Sequence, residues 1–158
     1  MISPALVTLL RKRFALDWHG IHGAAHWTRV RHIGLSLAAD TGAQPSVVEL
    51  FAFLHDSCRK NDDKDPNHGS RAALLAERVN TRVLRLTEVE LSLLVQACIG
   101  HSDGEVHSDI TINTCWDADR LDLPRIGIRP DPTRLCTSRA REPAFMNWAV
   151  SFSERNAA

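Results

Sequence analysis

A histidine and an aspartate stand side by side, as His55-Asp56, at the end of a strongly apolar segment. The preceding residues 47–54 read VVELFAFL, a composition typical of a buried helix. A carboxylate at the end of such a helix is costly to bury unless it is paired or bound to a cation. Taken alone, the dipeptide favours the simpler interpretation, in which Asp56 faces solvent at a helix end.

Two further segments offer side chains of the same chemical kind. His26 lies in the preceding helical segment, and Asp119 lies in a mixed acidic, basic and apolar stretch that reads DADRLD. The chain has eight histidines, more than packing alone requires at this length. Imidazole and carboxylate ligands from three helices suit a divalent ion of manganese, nickel, cobalt, iron, zinc or magnesium. We therefore predict a metal site formed by His26, His55, Asp56 and Asp119.

Four arginines accompany the predicted ligands. Arg29, Arg59 and Arg71 each follow a histidine or aspartate by three residues, a step that keeps two side chains on one helix face. Arg120 adjoins Asp119. Because guanidinium forks match phosphate oxygens, the pattern predicts that these four arginines bind substrate. The simpler interpretation is that some of them are solvated or pair with a helix end.

These segments resemble the motifs of the HD-domain phosphohydrolases, a family whose ligands follow the order His, His-Asp, Asp. The motifs read HGAAHWTRV at 22–30, HDSCR at 55–59, HG at 68–69 and ADRLD at 118–122. The resemblance covers about two-thirds of the chain. It implies a helical bundle around the metal, and it implies that Asp119, rather than Asp117 or Asp122, is the fourth ligand.

The resemblance also bears on three other histidines. In dinuclear relatives, histidines placed like His68 and His101 hold a second metal bridged by the aspartate of the pair. Those relatives carry another histidine where this chain has Ser102. Two interpretations therefore stay open: His68 and His101 bind a second metal, or they contact substrate phosphate or bound water. His22 is expected to support a ligand rather than to bind metal itself.

The expected activity follows from these parts. A divalent metal that activates water, with arginines neutralising phosphoryl oxygens, predicts hydrolysis of a phosphate ester or anhydride of a small metabolite. Asp56, His68 and His101 are the expected catalytic residues. The resemblance, and no base-recognising residue, makes a nucleotide the expected substrate. Two alternatives are a non-catalytic module that binds a nucleotide or a partner for regulation, and a di-iron oxygenase.

The elements that position these residues are predicted to be helical throughout, so the expected fold class is an all-α bundle. Apolar residues recur at helical spacing along most of the chain, and Thr87 with Glu90 forms a capping-box signature. Helices are expected from Pro4, then over 24–40, from Pro45 to 54, over 68–83, over 87–101, over 115–123 and over 142–152. Residues 125–137 contain two prolines and are expected to be irregular.

Composition limits the classes of protein and partner. The 158 residues predict one domain, with the motifs in 22–122 and a loop and helix in 123–158. Lysine plus arginine equals aspartate plus glutamate at 19 each, which argues against a long nucleic acid as partner. The chain lacks the pattern of a signal peptide or a membrane span, and its four cysteines are widely spaced, so a cytoplasmic protein is expected. Sequence alone predicts no oligomeric state.

Overall fold

The computed structural model describes residues 2–157, and in that range the chain forms eight α-helices and no β-strand. The predicted all-α fold class is therefore confirmed. The helices are α1 (Pro4–Arg13), α2 (Ala24–Thr41), α3 (Pro45–Leu54), α4 (His68–Val79), α5 (Glu88–Gly100), α6 (Ile110–Arg120), α7 (Ser138–Arg141) and α8 (Pro143–Arg155). No helix in this part of the chain is both long enough and apolar enough to cross a membrane.

Helix α3 lies at the centre of the bundle. Pro45 occupies its first turn, where a missing backbone N–H costs nothing, and Phe51 and Leu54 are fully buried. The helix packs against α2, α5 and α6, so it is surrounded on most sides. The apolar character of its sequence on nearly every face is the consequence of this central position.

Helices α2, α3 and α6 approach one another closely because a glycine stands where they meet. A Cβ atom added at Gly34 of α2 would lie 2.6 Å from Cγ1 of Val48 and 3.2 Å from Cβ of Ala118. Gly42, with a φ of 77°, ends α2 and returns the chain into α3 over a three-residue connection. A connection this short makes α2 and α3 antiparallel, so the first turn of α2 lies beside the last turn of α3.

Helices α4 and α5 form a second close pair. An added Cβ at Gly69 would lie 2.2 Å from the backbone oxygen of Cys98, so only glycine fits at this contact. His68 is the first residue of α4 and His101 is the residue after the end of α5. The close contact therefore sets the start of one helix against the end of the other and brings the two histidines together.

Three features differ from the sequence predictions. Helix α6 begins at Ile110 and not at residue 115, because Asp109 caps it by accepting hydrogen bonds from the amides of Thr111 and Ile112. Helix α4 ends at Val79 and continues as one π-helical turn, Asn80–Leu84. The stretch expected to be irregular contains two short 3-10 turns and is followed by the four-residue helix α7.

The predicted capping box at the start of α5 is present. The Thr87 hydroxyl accepts from the amide of Glu90 at 3.3 Å, and the Glu90 carboxylate accepts from the amide of Thr87 at 3.0 Å. We expect Thr87→Ala to lower the free energy of unfolding by about 1 kcal/mol, because the amides of the first turn lose their acceptor. Urea unfolding followed by circular dichroism measures the change.

Thr8→Ala, at an exposed position inside α1, is the matched control and should not lower the free energy of unfolding, because alanine has the higher helix propensity. Hydrogen bonds from Ser46 and Thr87 lower the pKa of Glu90. The part of the box contributed by the Glu90 carboxylate should therefore be complete at neutral pH and be lost as the pH falls through that lowered pKa, whereas the bond from the Glu90 amide to the Thr87 hydroxyl remains. A difference between Thr87→Ala and wild type that stays the same under strongly acidic conditions would contradict this explanation.

Candidate metal centre

The first cluster consists of His26, His55, Asp56 and Asp119, the four predicted ligands. His26 is in the first turn of α2, His55 and Asp56 follow α3, and Asp119 is in the last turn of α6. The Nε2 atoms of the two histidines lie 3.1 Å apart. Oδ1 of Asp119 lies 3.4 and 3.6 Å from these nitrogens, and Oδ2 of Asp56 lies 3.6 and 3.7 Å from them.

Hydrogen bonds on the far side of each ring determine which nitrogen carries the proton. Nδ1 of His26 donates to the Asp122 carboxylate at 2.7 Å, and Nδ1 of His55 donates to the carbonyl of Phe51 at 3.1 Å. With Nδ1 protonated, each neutral imidazole presents its lone pair at Nε2. Two imidazole lone pairs and two carboxylate oxygens therefore lie close together. A single shared proton could bond to only some of these four atoms.

The spacing of these donor atoms fits a metal ion. Bonds of about 2.0–2.2 Å with angles between 90° and 110° place neighbouring ligand atoms about 2.8–3.6 Å apart. The distances from 3.1 Å between the two nitrogens to 3.7 Å between His55 and Asp56 match this spacing closely. The side chains of both histidines are fully buried, and that of Asp56 is 5% exposed. His26, His55 and Asp56 of this cluster could hold a metal ion, and Oδ1 of Asp119 lies beside both imidazole nitrogens.

The second cluster consists of His68, His101 and the same Asp56. Nδ1 of His68 donates to the carbonyl of Asp65, and Nδ1 of His101 donates to the carbonyl of Cys98 at 2.7 Å. The two Nε2 atoms lie 2.7 Å apart, and Oδ1 of Asp56 lies 3.1 Å from one and 3.7 Å from the other. This cluster, too, could hold a metal ion.

Asp56 joins the two clusters, because its Oδ2 faces the first and its Oδ1 faces the second. Burial raises the pKa of this carboxyl, but the surrounding histidines, His55 first among them, hold the pKa well below its ordinary value. Burial also lowers the pKa of His55, and the carboxylates of Asp56 and Asp119 outweigh that effect and leave it raised. Both pKa shifts have one cause: the carboxylates and the imidazole rings lie so close together that positive charge between them is favoured.

His22 contacts Asp56 from outside the two clusters. Its Nδ1 lies 2.8 Å from Oδ2 of Asp56, and its Nε2 lies 3.3 Å from the carbonyl of Asp62. The carboxylate oxygen is an acceptor, so Nδ1 donates to Asp56 and does not offer its lone pair to a metal. This geometry favours the predicted supporting role, in which His22 orients the shared carboxylate.

Asp122 holds His26 in place from behind. Its fully buried carboxylate accepts from Nδ1 of His26, from Nε of Arg29 at 2.8 Å and from Oγ of Ser153 at 2.6 Å. Sequence reasoning gave Asp122 no role beyond excluding it as a ligand. The signal was its position three residues after Asp119, which places both carboxylates at the same end of α6.

Arg29 does not face the first cluster. Its Nε donates to Asp122, on the side of the His26 ring opposite Nε2, and its Nη1 donates to the carbonyl of Asn156 at 2.7 Å. A fully buried carboxylate needs a cation, and Arg29 provides it. The geometry therefore favours a positioning role for Arg29 over the predicted contact with substrate phosphate.

The other three arginines occupy different surroundings. Arg59 adjoins the second cluster, with Nη1 3.7 Å from Oδ1 of Asp56. Arg71 donates to the carbonyl of Cys58 and pairs with Asp65, so it holds the loop that precedes α4. Arg120 donates to the carbonyls of Arg134 and Glu105 and stacks over Trp116. Their common predicted role as substrate ligands stays a prediction, and the geometry distinguishes among them.

A cleft of about 220 Å³ opens onto both clusters. Its lining includes His101 of the second cluster and Asp119 of the first, together with two arginines, Arg120 and Arg134. We call it the site cleft. Arg134 was not found from the sequence because it lies in an irregular segment without periodicity. Its guanidinium forms no hydrogen bond and no close ion pair among residues 2–157, so its N–H groups are available to a ligand, while its charge interacts at longer range with Asp131 in the same lining.

Asp117 lies next to this region and has a structural role. Its carboxylate accepts from the amides of Cys136 and Thr137 and from the Thr137 hydroxyl, at 2.6 to 2.8 Å. Burial raises its pKa. Asp117 therefore fastens the 132–137 segment, which includes Arg134, to helix α6.

We expect His55→Ala and Asp119→Ala each to reduce bound metal in a protein that keeps its helical circular dichroism. Asp56→Ala should reduce it most, because that carboxylate serves both clusters. Inductively coupled plasma mass spectrometry of the purified protein measures the metal. His19→Ala removes an exposed histidine outside both clusters and is the control. Unchanged metal content in all three ligand variants would refute the assignment.

Comparison with known proteins adds no relative. No family model, curated protein or solved structure matches this chain. The similarity to HD-domain phosphohydrolases therefore rests on the sequence motifs alone, and membership of that family stays a prediction.

Proposed function

We propose that this protein is a metal-dependent phosphohydrolase of the HD-domain type. Its substrate would be a phosphate ester or anhydride of a small metabolite, with a nucleotide as the expected class. The observation that carries the proposal is the site cleft, in which ligands of both clusters and two guanidinium groups line one space. That combination of buried metal ligands and exposed cations is suited to a phosphoryl group.

The donor set supports two ions sharing Asp56. Mixed imidazole and carboxylate ligands are compatible with manganese, nickel, cobalt, iron, zinc or magnesium, and discriminate poorly among them. A divalent cation bound there would act as a Lewis acid and lower the pKa of coordinated water from its bulk value towards about 7. Asp119 and His101, one from each cluster, line the cleft, so a phosphoryl group in it would lie beside both clusters.

Side chains that line the site cleft would bind and position the substrate. The Arg134 guanidinium forms no hydrogen bond within the described chain and would pair with the non-bridging phosphoryl oxygens. Arg120 shares the cleft, but its Nη atoms already bind backbone carbonyls, so it would shape the wall and add positive charge. Leu123, Pro130 and Leu135 also line the cleft and would contact the less polar part of the substrate, and the rest of the lining is Ser102, Gly104 and Asp131.

The first prediction concerns activity. With manganese, nickel, cobalt or magnesium added, the purified protein should release phosphate or pyrophosphate from at least one small nucleotide or sugar phosphate. A chelator and the His55→Ala variant should each abolish release, and colorimetric phosphate detection measures it. Absence of turnover across the screen together with nucleotide binding would favour a regulatory module. Bound iron with an oxygen-dependent optical band would favour a di-iron oxygenase.

The second prediction concerns Arg134. Arg134→Ala should leave metal content unchanged and reduce kcat/KM by the equivalent of about 2–4 kcal/mol, because a donor to developing charge is lost. Arg134→Lys should recover only part of the activity, since an ammonium lacks the bidentate fork.

Arg155→Ala, at an exposed position on α8, is the matched control and should behave as wild type. Arg120→Ala should lower the free energy of unfolding, because the carbonyls of Arg134 and Glu105 lose their hydrogen-bond donor. Wild-type kinetics in Arg134→Ala would remove this residue from the site and leave the metal assignment intact.

A further inference from the structure

A second cavity, of about 360 Å³, lies on another part of the molecule, between the end of α1, the loop after α3 and helix α4. No residue lines both this cavity and the site cleft. The lining contains five cations and no carboxylate. We call it the cationic cavity; its charged residues are Arg13, Arg59, Lys60, Arg71 and Arg78.

Most of this positive charge is uncompensated. Two of the five cations have carboxylate partners: Arg71 pairs with Asp65, and Arg59 lies 3.7 Å from Asp56. The side chains of the other three form no ion pair or hydrogen bond with any residue in 2–157. The whole chain has equal numbers of acidic and basic residues, so this excess is a local feature.

Arg59 provides an independent sign that a ligand is missing. The residue is 9% exposed, and its Nε is buried without a hydrogen-bond partner. Of the other guanidinium nitrogens, Nη2 donates to the carbonyl of Asp63 at 3.0 Å, and Nη1 lies 3.7 Å from Oδ1 of Asp56. Buried N–H groups nearly always have an acceptor, so an unpartnered one beside a cavity indicates an acceptor that the protein does not supply.

From these observations we infer that the cationic cavity binds a small anion carrying several phosphate groups. Guanidinium groups recognise phosphate oxygens through paired hydrogen bonds, and three unpaired cations suit more than one phosphate. The volume lies within the range of small-molecule sites. A long nucleic acid would need a continuous basic stripe, which a chain with no net charge is less suited to provide.

The site would also be connected to the metal centre. Arg59 lines the cavity and at the same time lies beside Asp56 and His68. An anion in the cavity would therefore contact the residue that lies against the shared carboxylate. The inference itself does not depend on hydrolase activity, since it rests on the charges and on the unpartnered Nε.

The test is a calorimetric titration of the full chain with inorganic tripolyphosphate, after a chelator has removed metal that would itself bind the probe. Circular dichroism first verifies that the helical content is unchanged. We expect binding to the wild type, and binding weaker by about tenfold in Arg13→Ala/Arg78→Ala, because two exposed ion pairs are lost. Neither arginine contacts the metal centre, so activity should be retained.

Arg82→Ala/Arg155→Ala removes the same charge from exposed positions outside the cavity and should bind as wild type. In amide NMR spectra, tripolyphosphate should shift Lys60, Leu74 and Leu75, which line the cavity. The inference is overturned if wild type does not bind, if both double variants bind equally, or if the shifts are confined to the site cleft. Hydrolase assays are independent of these results, so failure of one proposal is distinguishable from failure of the other.

Discussion

The shared carboxylate of Asp56 is the constraint on which the centre depends. Asp56 is buried, and a buried carboxylate destabilises the fold unless positively charged groups lie close to it. One oxygen faces His26 and His55, and the other faces His68 and His101. Four helices must therefore end or begin around one side chain. The close packing of α2 with α3, and of α4 with α5, is the arrangement that satisfies this requirement.

Each histidine is oriented by what lies behind it. Three of the four donate Nδ1 to a backbone carbonyl, and in each case that carbonyl precedes the histidine by three or four residues. These local bonds leave Nε2 as the lone-pair nitrogen. His26 is the exception, because its Nδ1 donates to a side chain and not to a backbone carbonyl. The Asp122 carboxylate, held by Arg29 and Ser153, replaces it.

Positive charge lies in two places around this centre. The site cleft has Arg120 and Arg134 beside ligands of both clusters, whereas the cationic cavity meets the centre only through Arg59. The arginines that look alike in sequence therefore differ in function. Arg29 neutralises a buried carboxylate, Arg71 fastens a loop, and Arg59 lies between a cavity and the centre.

The sequence by itself determined the all-α class, most helix positions, the capping box at Thr87 and a ligand set that the structure brings together. These properties depend on spacing within a helix or on residues three positions apart, so they are visible locally. Only the tertiary structure decided that Asp56 lies in two clusters, that Arg29 pairs with Asp122, and that Arg134 lines the cleft. Those contacts join residues up to 96 positions apart, as between His26 and Asp122, and they depend on how the helices pack.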